Sequence, residues 1–238
     1  MQNLHHYARI RPLLKRHAAL GLLPDAVLDG LLQRGQLKRY AKGETLYRRG
    51  DPSDSLMLLV SGGIKLTIIS RQAKEMVLRF PAPGESFGEI SLFDGKARTL
   101  DAVALEASEV FLILIRDLTP ALIAHPQSLF EIVRALCERL RVGMLLLENR
   151  TLVMRARVAR GLLGLARHLG RRRKDGIHLQ LAASQEELGN YLGLARSNVS
   201  RQLSQLSKAG VIRIDEAGLV ITDERGLARL AEDALSDT

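Results

Sequence analysis

Cysteine is nearly absent: the chain of 238 residues has one, Cys137. That excludes an internal disulfide and a four-cysteine zinc or iron–sulfur site within one chain, and the expected compartment is the reducing cytoplasm. No run of about 18 apolar residues occurs, so no membrane-spanning helix is expected. The stretch MQNLHHYARIRPLL lacks the apolar core and small-residue cleavage site of a secretory signal. Catalytic signatures are missing too. No Gly-rich loop leads into a Lys-Ser/Thr pair, no H-E-x-x-H occurs, and no serine stands in a nucleophile-elbow context. No catalytic residue and no metal ligand is therefore assigned, and an enzyme is the least supported class. His5, His6, His17 and His125 carry no ligand motif.

What is present fits a globular chain of two domains: 46% apolar and 26% charged residues, with a net charge of +9. The charge is unevenly placed. Between Arg155 and Ile214 there are 12 Lys/Arg against 3 Asp/Glu, while the rest of the chain is neutral overall. A surplus of cations in one block is the footprint of a nucleic-acid-binding domain.

Residues 4–34 carry leucines at helical spacing, with Pro24 opening a new turn. From about 36 to 118, short apolar runs (Thr45–Tyr47, Leu56–Val60, Ile64–Ile69, Glu75–Phe80, Val110–Ile115) alternate with turn residues, which predicts an antiparallel all-β sandwich or barrel. Its turns hold Gly43, Gly50, Gly62, Gly63, Gly84, Gly88 and Gly95. From 126 to 154 the pattern becomes that of one long helix. Val133, Cys137, Leu140, Met144, Leu147, Thr151 and Met154 recur at alternating steps of four and three, the seam of a coiled coil with a twin. A helix packed only on its own domain is the blander alternative. Cys137, being on the seam, reads as packing rather than as a redox switch.

The remainder alternates helix and short strand. Arg155–Leu169 is amphipathic, and the run Arg171-Arg172-Arg173-Lys174 reads as a solvated loop, with a phosphate contact as the alternative. Ser184-Gln185-Glu186-Glu187 is a capping box that starts a helix ending at Gly193. A second helix follows from Arg196 to Leu206, the helix-turn-helix arrangement. At about 100° per residue, Val199, Leu203 and Leu206 share one side. Arg196, Ser197, Ser200, Arg201 and Ser204 share the other, and no acid occurs from Leu188 to Arg213. Arginine can donate two bonds to a guanine edge, and small hydroxyl residues let a backbone approach. Arg196, Ser197, Asn198, Ser200, Arg201 and Gln205 are accordingly the candidate DNA-binding residues. Val211–Ile214 and Leu219–Ile221 form a wing hairpin whose acidic tip suits structure better than phosphate, and Asp223 caps a final helix to about Leu235.

The stretches Lys42-Gly43-Glu44-Thr45-Leu46-Tyr47, Gly50-Asp51, Ser55-Leu56 and Ser61-Gly62 are similar to the β-roll signature of the Crp/Fnr superfamily of bacterial transcription regulators. Phe87-Gly88-Glu89-Ile90-Ser91-Leu92, Gly95 and Arg98-Thr99 resemble its phosphate-binding cassette, and Gln185–Leu206 resembles its helix-turn-helix. The resemblance covers nearly the whole chain. It implies an α+β fold: an N-terminal double-stranded β-helix (jelly-roll) domain of the cyclic-nucleotide-binding type over residues 1–125, a dimerisation helix over 126–154, and a winged helix-turn-helix over 155–238. It also implies a homodimer on palindromic double-stranded DNA, with RNA polymerase as a further partner. The dimer interface would comprise Val133, Cys137, Leu140, Met144, Leu147 and Thr151.

A small effector in the roll is implied as well, with cyclic AMP, cyclic GMP or a cyclic dinucleotide as candidates. Arg98 and Thr99 would hold its phosphate, backbone N–H groups around Gly88, Ile90 and Ser91 would complete the cradle, and Glu89 would accept from the ribose 2′-OH. A structural Glu89–Arg98 ion pair is the alternative. Ala97 replaces the usual proline, Leu100 a small residue, and Asp101 follows. Gly143 and Met144 stand where cyclic-AMP-binding members supply Thr and Ser hydroxyls, so Met144 would face the base end and adenine recognition is not expected. Ala195 stands where a capping hydroxyl usually opens the recognition helix, a loss of about 1 kcal/mol. A regulator with a vestigial roll remains open. A cyclic-nucleotide-binding subunit of another protein fits less well, because residues 184–221 read as a DNA module.

Overall fold

A computed structural model describes residues 2–149, 152–179, 181–215 and 218–232, without the side chains of residues 2–6, among them His5 and His6. Two compact units result: Met1–Ile69 with Leu78–Arg141, and Ser70–Val77 with Val142–Thr238.

The first unit opens with helix α1 (Gln2–Arg16), a 3-10 turn (Leu20–Leu22) and α2 (Asp25–Arg34), the last starting directly after Pro24 as its spacing predicts. Strands β1 (Gln36–Tyr40), β2 (Thr45–Tyr47), β3 (Ser55–Ser61), β4 (Ile64–Ile69), β5 (Glu75–Arg79), β6 (Ser86–Phe87), β7 (Asp101–Ala104) and β8 (Ser108–Leu114) follow, with the short α3 (Ile90–Asp94) inserted after β6. They form two four-stranded sheets, ordered β1-β8-β3-β6 and β2-β7-β4-β5. Helix α4 (Ile115–Ala124) leads into the long α5 (Pro126–Asn149).

The continuous apolar runs of β3 and β8 follow from burial on both faces. Leu56, Leu58, Val60, Phe111 and Ile113 pack with Ile10, Leu14, Leu28, Leu31, Leu118, Leu122 and Ile132 of the helices. Met57, Leu59, Val110 and Leu112 turn the other way, against Tyr47, Ile64, Leu66, Phe87 and Ala102 inside the roll. Successive side chains of a strand point to opposite faces, so each strand serves two cores. Each turn glycine named above has a positive φ except Gly63.

The long helix is shorter than its spacing predicts. It ends at Asn149; Leu152 and Val153 are not helical, and Met154 begins a separate helix α6 (Met154–Leu169). Met154 is therefore not on the seam, and Thr151 lies outside the described residues. Nothing in the apolar spacing marks this end, because Met154 also suits the face that α6 buries.

The second unit contains α6, β9 (Gly170–Arg173), β10 (Gly176–Leu179), α7 (Gln185–Leu192), α8 (Arg196–Lys208), β11 (Ile212–Asp215), β12 (Gly218–Ile221) and α9 (Glu224–Glu232). Its sheet runs β11-β12-β10-β9. Arg171–Arg173 thus lie in an edge strand and not in a loop: Ile177 and Leu179 bury one face of β10, and the backbone ladder holds the arginines beside them. Asp223 accepts from the Gly226 amide (2.8 Å) and caps α9, as expected; residues 233–238 lie outside the described residues. No described helix is long and apolar enough to cross a membrane.

Candidate functional site

The capping box of α7 is formed in full. Ser184 Oγ accepts from the Glu187 amide (3.2 Å) while Glu187 Oε2 accepts from the Ser184 amide (2.7 Å). Gly193 stops the helix in the left-handed region at φ 68°, which spares a side chain the strain of that turn. Helix α8 then starts at Ala195, which supplies no side-chain cap. Leu188, Leu192, Val199, Leu203 and Leu206 are buried, and Gln202 with them. Arg196, Ser197, Ser200, Arg201, Ser204 and Gln205 are exposed and Asn198 is half-buried. Asn198 Oδ1 accepts from Arg201 Nη2 (3.3 Å), which steadies the guanidinium without neutralising it. All six candidate DNA-binding residues thus sit on one helix, along an acid-free solvent edge with Asn198 at its margin.

In the same unit, Asp175 in the β9–β10 turn accepts from Arg213 Nη2 (2.6 Å) and pairs with His178 Nε2 (2.7 Å). The Arg213 hydrogen bond first, and that of His178 second, hold the Asp175 carboxyl well below the usual carboxylate range. Arg213 also donates to Asp215 (3.0 Å), so the described acid of the wing serves the wing's own structure; Glu216 and Ala217 of its tip lie outside the described residues.

In the first unit the cassette residues converge after β6. Gly88 has φ 80°, and a Cβ there would collide with the Arg98 guanidinium. Arg98 is buried; it donates to the carbonyls of Gly88 (2.9 Å) and Ser55 (2.7 Å) and lies 4.5 Å over the Tyr47 ring. Glu89 is buried as well, and its cation is Arg139 of α5, which also donates to the Ser86 carbonyl (3.0 Å). The Glu89–Arg98 pair considered from the sequence is therefore replaced by a Glu89–Arg139 pair. Ser91 is buried, with its hydroxyl 3.4 Å from the Ala97 carbonyl, while Ile90 and Thr99 are exposed. Asp101 accepts from the Arg49 amide (2.7 Å), so its carboxylate is engaged by backbone. Met144 belongs to the second unit and is exposed.

A polar ligand fits this cradle on two counts: Arg98 Nε and Glu89 Oε2 are buried with no hydrogen-bond partner. Buried polar atoms normally find one, so one donor and one acceptor of the cradle are open to an added polar group. Arg139, Tyr47 and Ser55 were not legible as parts of it. The buried Glu89 demands a cation, but the sequence does not say which of many arginines, 50 residues on, supplies it.

His17 was also missed. Its Nδ1 accepts from the amides of Ala19 (3.3 Å) and Leu20 (3.2 Å), so the proton sits on Nε2 and is donated to Ser86 Oγ (3.0 Å). Burial first, then Arg139 and Arg79, opposed by Glu85, push its pKa down to about 4. The folded state keeps His17 neutral where the unfolded chain, with a value of about 6.5, takes up a proton. Its contribution is thus complete above pH 6.5 and declines as pH falls toward 4. Urea unfolding should show wild type losing on the order of 1 kcal/mol between pH 7 and 5.5 that His17→Gln does not lose. Parallel losses in both proteins would remove His17 as the cause.

The seam of α5 is solvent-facing in the single chain. Val133, Cys137 and Met144 are exposed, Leu140 keeps 62% of its surface and Leu147 66%, while Ile132 is buried in the roll's helical core and Leu136 packs on it. Phe130, 68% exposed, continues the same stripe one step earlier and was not identified from the sequence. It precedes Val133 by three residues, the signal that could have found it.

A family model for the cyclic nucleotide-binding domain matches residues 37–123, and one for the Crp-like helix-turn-helix domain matches residues 156–230. The chain is 32% identical over 195 residues to the cyclic AMP receptor protein of Thermus thermophilus, covering 82% of this chain and 87% of that protein. It is 29% identical over 214 residues to a CRP-like cAMP-activated global transcriptional regulator of Mycobacterium tuberculosis, covering 89% and 94%. The solved structure of FixK2 from Bradyrhizobium japonicum matches with a TM-score of 0.72 at 25% identity, over 82% of this chain and 96% of that one.

Proposed function

The chain belongs to the Crp/Fnr family of DNA-binding transcription regulators, and from that premise we propose that it acts as a cytoplasmic homodimer, joined along α5, whose paired α8 helices read a palindrome under control of a small anionic effector. The observation that carries the reading is the edge of α8: two exposed arginines among small hydroxyl residues, with no acid beside them. Two copies of that edge address half-sites about 34 Å apart, one turn of duplex. Specific contacts come from Arg196 and Arg201; Ser197, Asn198, Ser200 and Gln205 line the approach.

For the effector, Arg98 offers its Nε–H to a phosphate oxygen and Glu89 offers Oε2 to a hydroxyl. Thr99, exposed beside Arg98, adds a hydroxyl, and the backbone around Gly88–Ser91 lines the anion. A regulator with a vestigial roll is the second reading. It is favoured by one observation: both terminal nitrogens of Arg98 already donate to carbonyls of the protein.

One experiment addresses both halves. Sequences bound from a random duplex library are selected without ligand and with cyclic AMP, cyclic GMP or cyclic di-GMP. A two-fold symmetric site is expected, enriched at least tenfold more by one of these ligands, with that dependence lost in Arg98→Ala. A non-symmetric site argues against the paired reader. Enrichment that no ligand changes leaves the vestigial roll standing.

A further inference from the structure

We propose that the β9–β10 hairpin is a second, sequence-independent phosphate site, which holds the DNA backbone beside the groove that α8 enters. The proposal rests on the DNA-binding reading above and adds a contact that neither the helix-turn-helix nor the wing supplies.

Four consecutive cations, Arg171 to Lys174, are exposed on this hairpin. Arg172 is already committed, donating to both carboxylate oxygens of Glu224 (3.1 and 2.8 Å). The hairpin's one acid, Asp175, is held by Arg213 and His178. Among the described residues, Arg171, Arg173 and Lys174 have no acidic partner, so three positive charges stand uncompensated on one short hairpin.

The register decides where they point. Arg172 lies opposite the buried Ile177, whereas Arg171 lies opposite His178 and Arg173 opposite Gly176. Arg171 and Arg173 therefore share one face of the sheet, about 6.6 Å apart at the strand rise of about 3.3 Å. Two cations so spaced can each meet a phosphate of one strand, whose charges recur about every 3.4 Å of helix axis. Helix α8 packs on β11, and the sheet order β11-β12-β10-β9 places β9 three strands away, about 14 Å. The major groove is about 12 Å wide. A strand that far from a helix seated in the groove lies beyond the groove's rim, over sugar and phosphate.

Charges on an edge strand also discourage strand-to-strand association. That purpose is indifferent to sign and met by one or two residues. Three unpaired cations of one sign in the DNA-binding unit exceed it.

The test is the salt dependence of binding to a random 40-base-pair duplex. Arg171→Ala, Arg173→Ala and Lys174→Ala combined should weaken binding at least tenfold at about 0.1 M salt. The plot of log K against log salt should flatten by about 0.9 for each phosphate that is no longer neutralised. The glutamine triple variant, which keeps bulk and hydrogen bonding, should behave alike, and unchanged thermal unfolding of both checks the fold. Arg172→Ala should leave the slope at its wild-type value. An unaltered slope in both triple variants, with wild type binding normally, overturns the site. Retained DNA binding with lost transcription activation overturns it too, and gives the hairpin to an acidic protein surface instead. Failure of wild type to bind any duplex refutes the DNA-binding reading itself, and this site with it.

Discussion

Arg196→Ala combined with Arg201→Ala should abolish discrimination between the selected operator and random duplex while leaving a folded dimer. Each bidentate arginine–guanine contact is worth about 1–3 kcal/mol of discrimination. A dimer places four such arginines, two per half-site. The preference of a regulator for its operator over random DNA is typically about 4–10 kcal/mol, so these four side chains are matched to most of it. A fall of about a thousandfold or more in the operator-to-random ratio is the expected result of a competition binding assay. Both residues are exposed and neither donates to the protein core, so stability should move by less than about 0.5 kcal/mol. Arg201→Ala alone should have the larger share, since Asn198 holds its guanidinium in place. A ratio that survives the double substitution would sink the assignment of α8 as reader.

Leu140→Asp is expected to convert the dimer to monomer. Leu140 is 62% exposed in one chain, so folding of the protomer does not depend on it. In a seam it meets its symmetry mate, and burying a leucine side chain contributes about 1.5–3 kcal/mol. The substitution removes that gain twice and sets two carboxylates against each other in a dry interface, where unpaired charge is costly. Dimer dissociation should rise by a factor of about a thousand or more in sedimentation experiments, and operator binding should fall with it. The same seam makes Cys137 a reporter. In a parallel, in-register pair each core position faces its own copy, close to the roughly 5.5–6 Å Cα separation a disulfide needs. Mild oxidation should therefore yield a linked dimer in wild type and none in Cys137→Ser. An antiparallel or shifted pairing would leave the thiols apart and the product monomeric.

Elements whose own side chains drive their burial were legible in the sequence. Ile64–Ile69 was delimited to the residue, because apolar strand and polar turn alternate there. The capping box at Ser184 was legible since its two hydrogen bonds are local. Strands β1 and β7 escaped notice because their pairing comes from neighbours: Gln36–Tyr40 is mostly polar and is held by the ladder to β8. Strand β9 misled for the same reason, three arginines being held by the ladder to β10. In the cassette, the family resemblance pointed to Glu89 and Arg98, yet the cation of Glu89 is contributed from far along the chain. Arg139 lies 53 residues from Ser86, and His17 lies 69. No local pattern encodes such closures; only the packed roll does.

The reading helix begins at an alanine, and this has a consequence for how binding is sensed. Ala195 accepts from the Asn198 amide (3.0 Å) through its carbonyl but offers no side-chain oxygen to the opening amides of α8, so the turn bearing Arg196 is held less firmly than the rest of the helix. A duplex whose phosphate oxygens accept from those amides would finish the turn. Seating on the correct operator and completion of the reader then become one event. A mismatched sequence that shifts the helix forfeits the anchoring of its first turn along with a base contact.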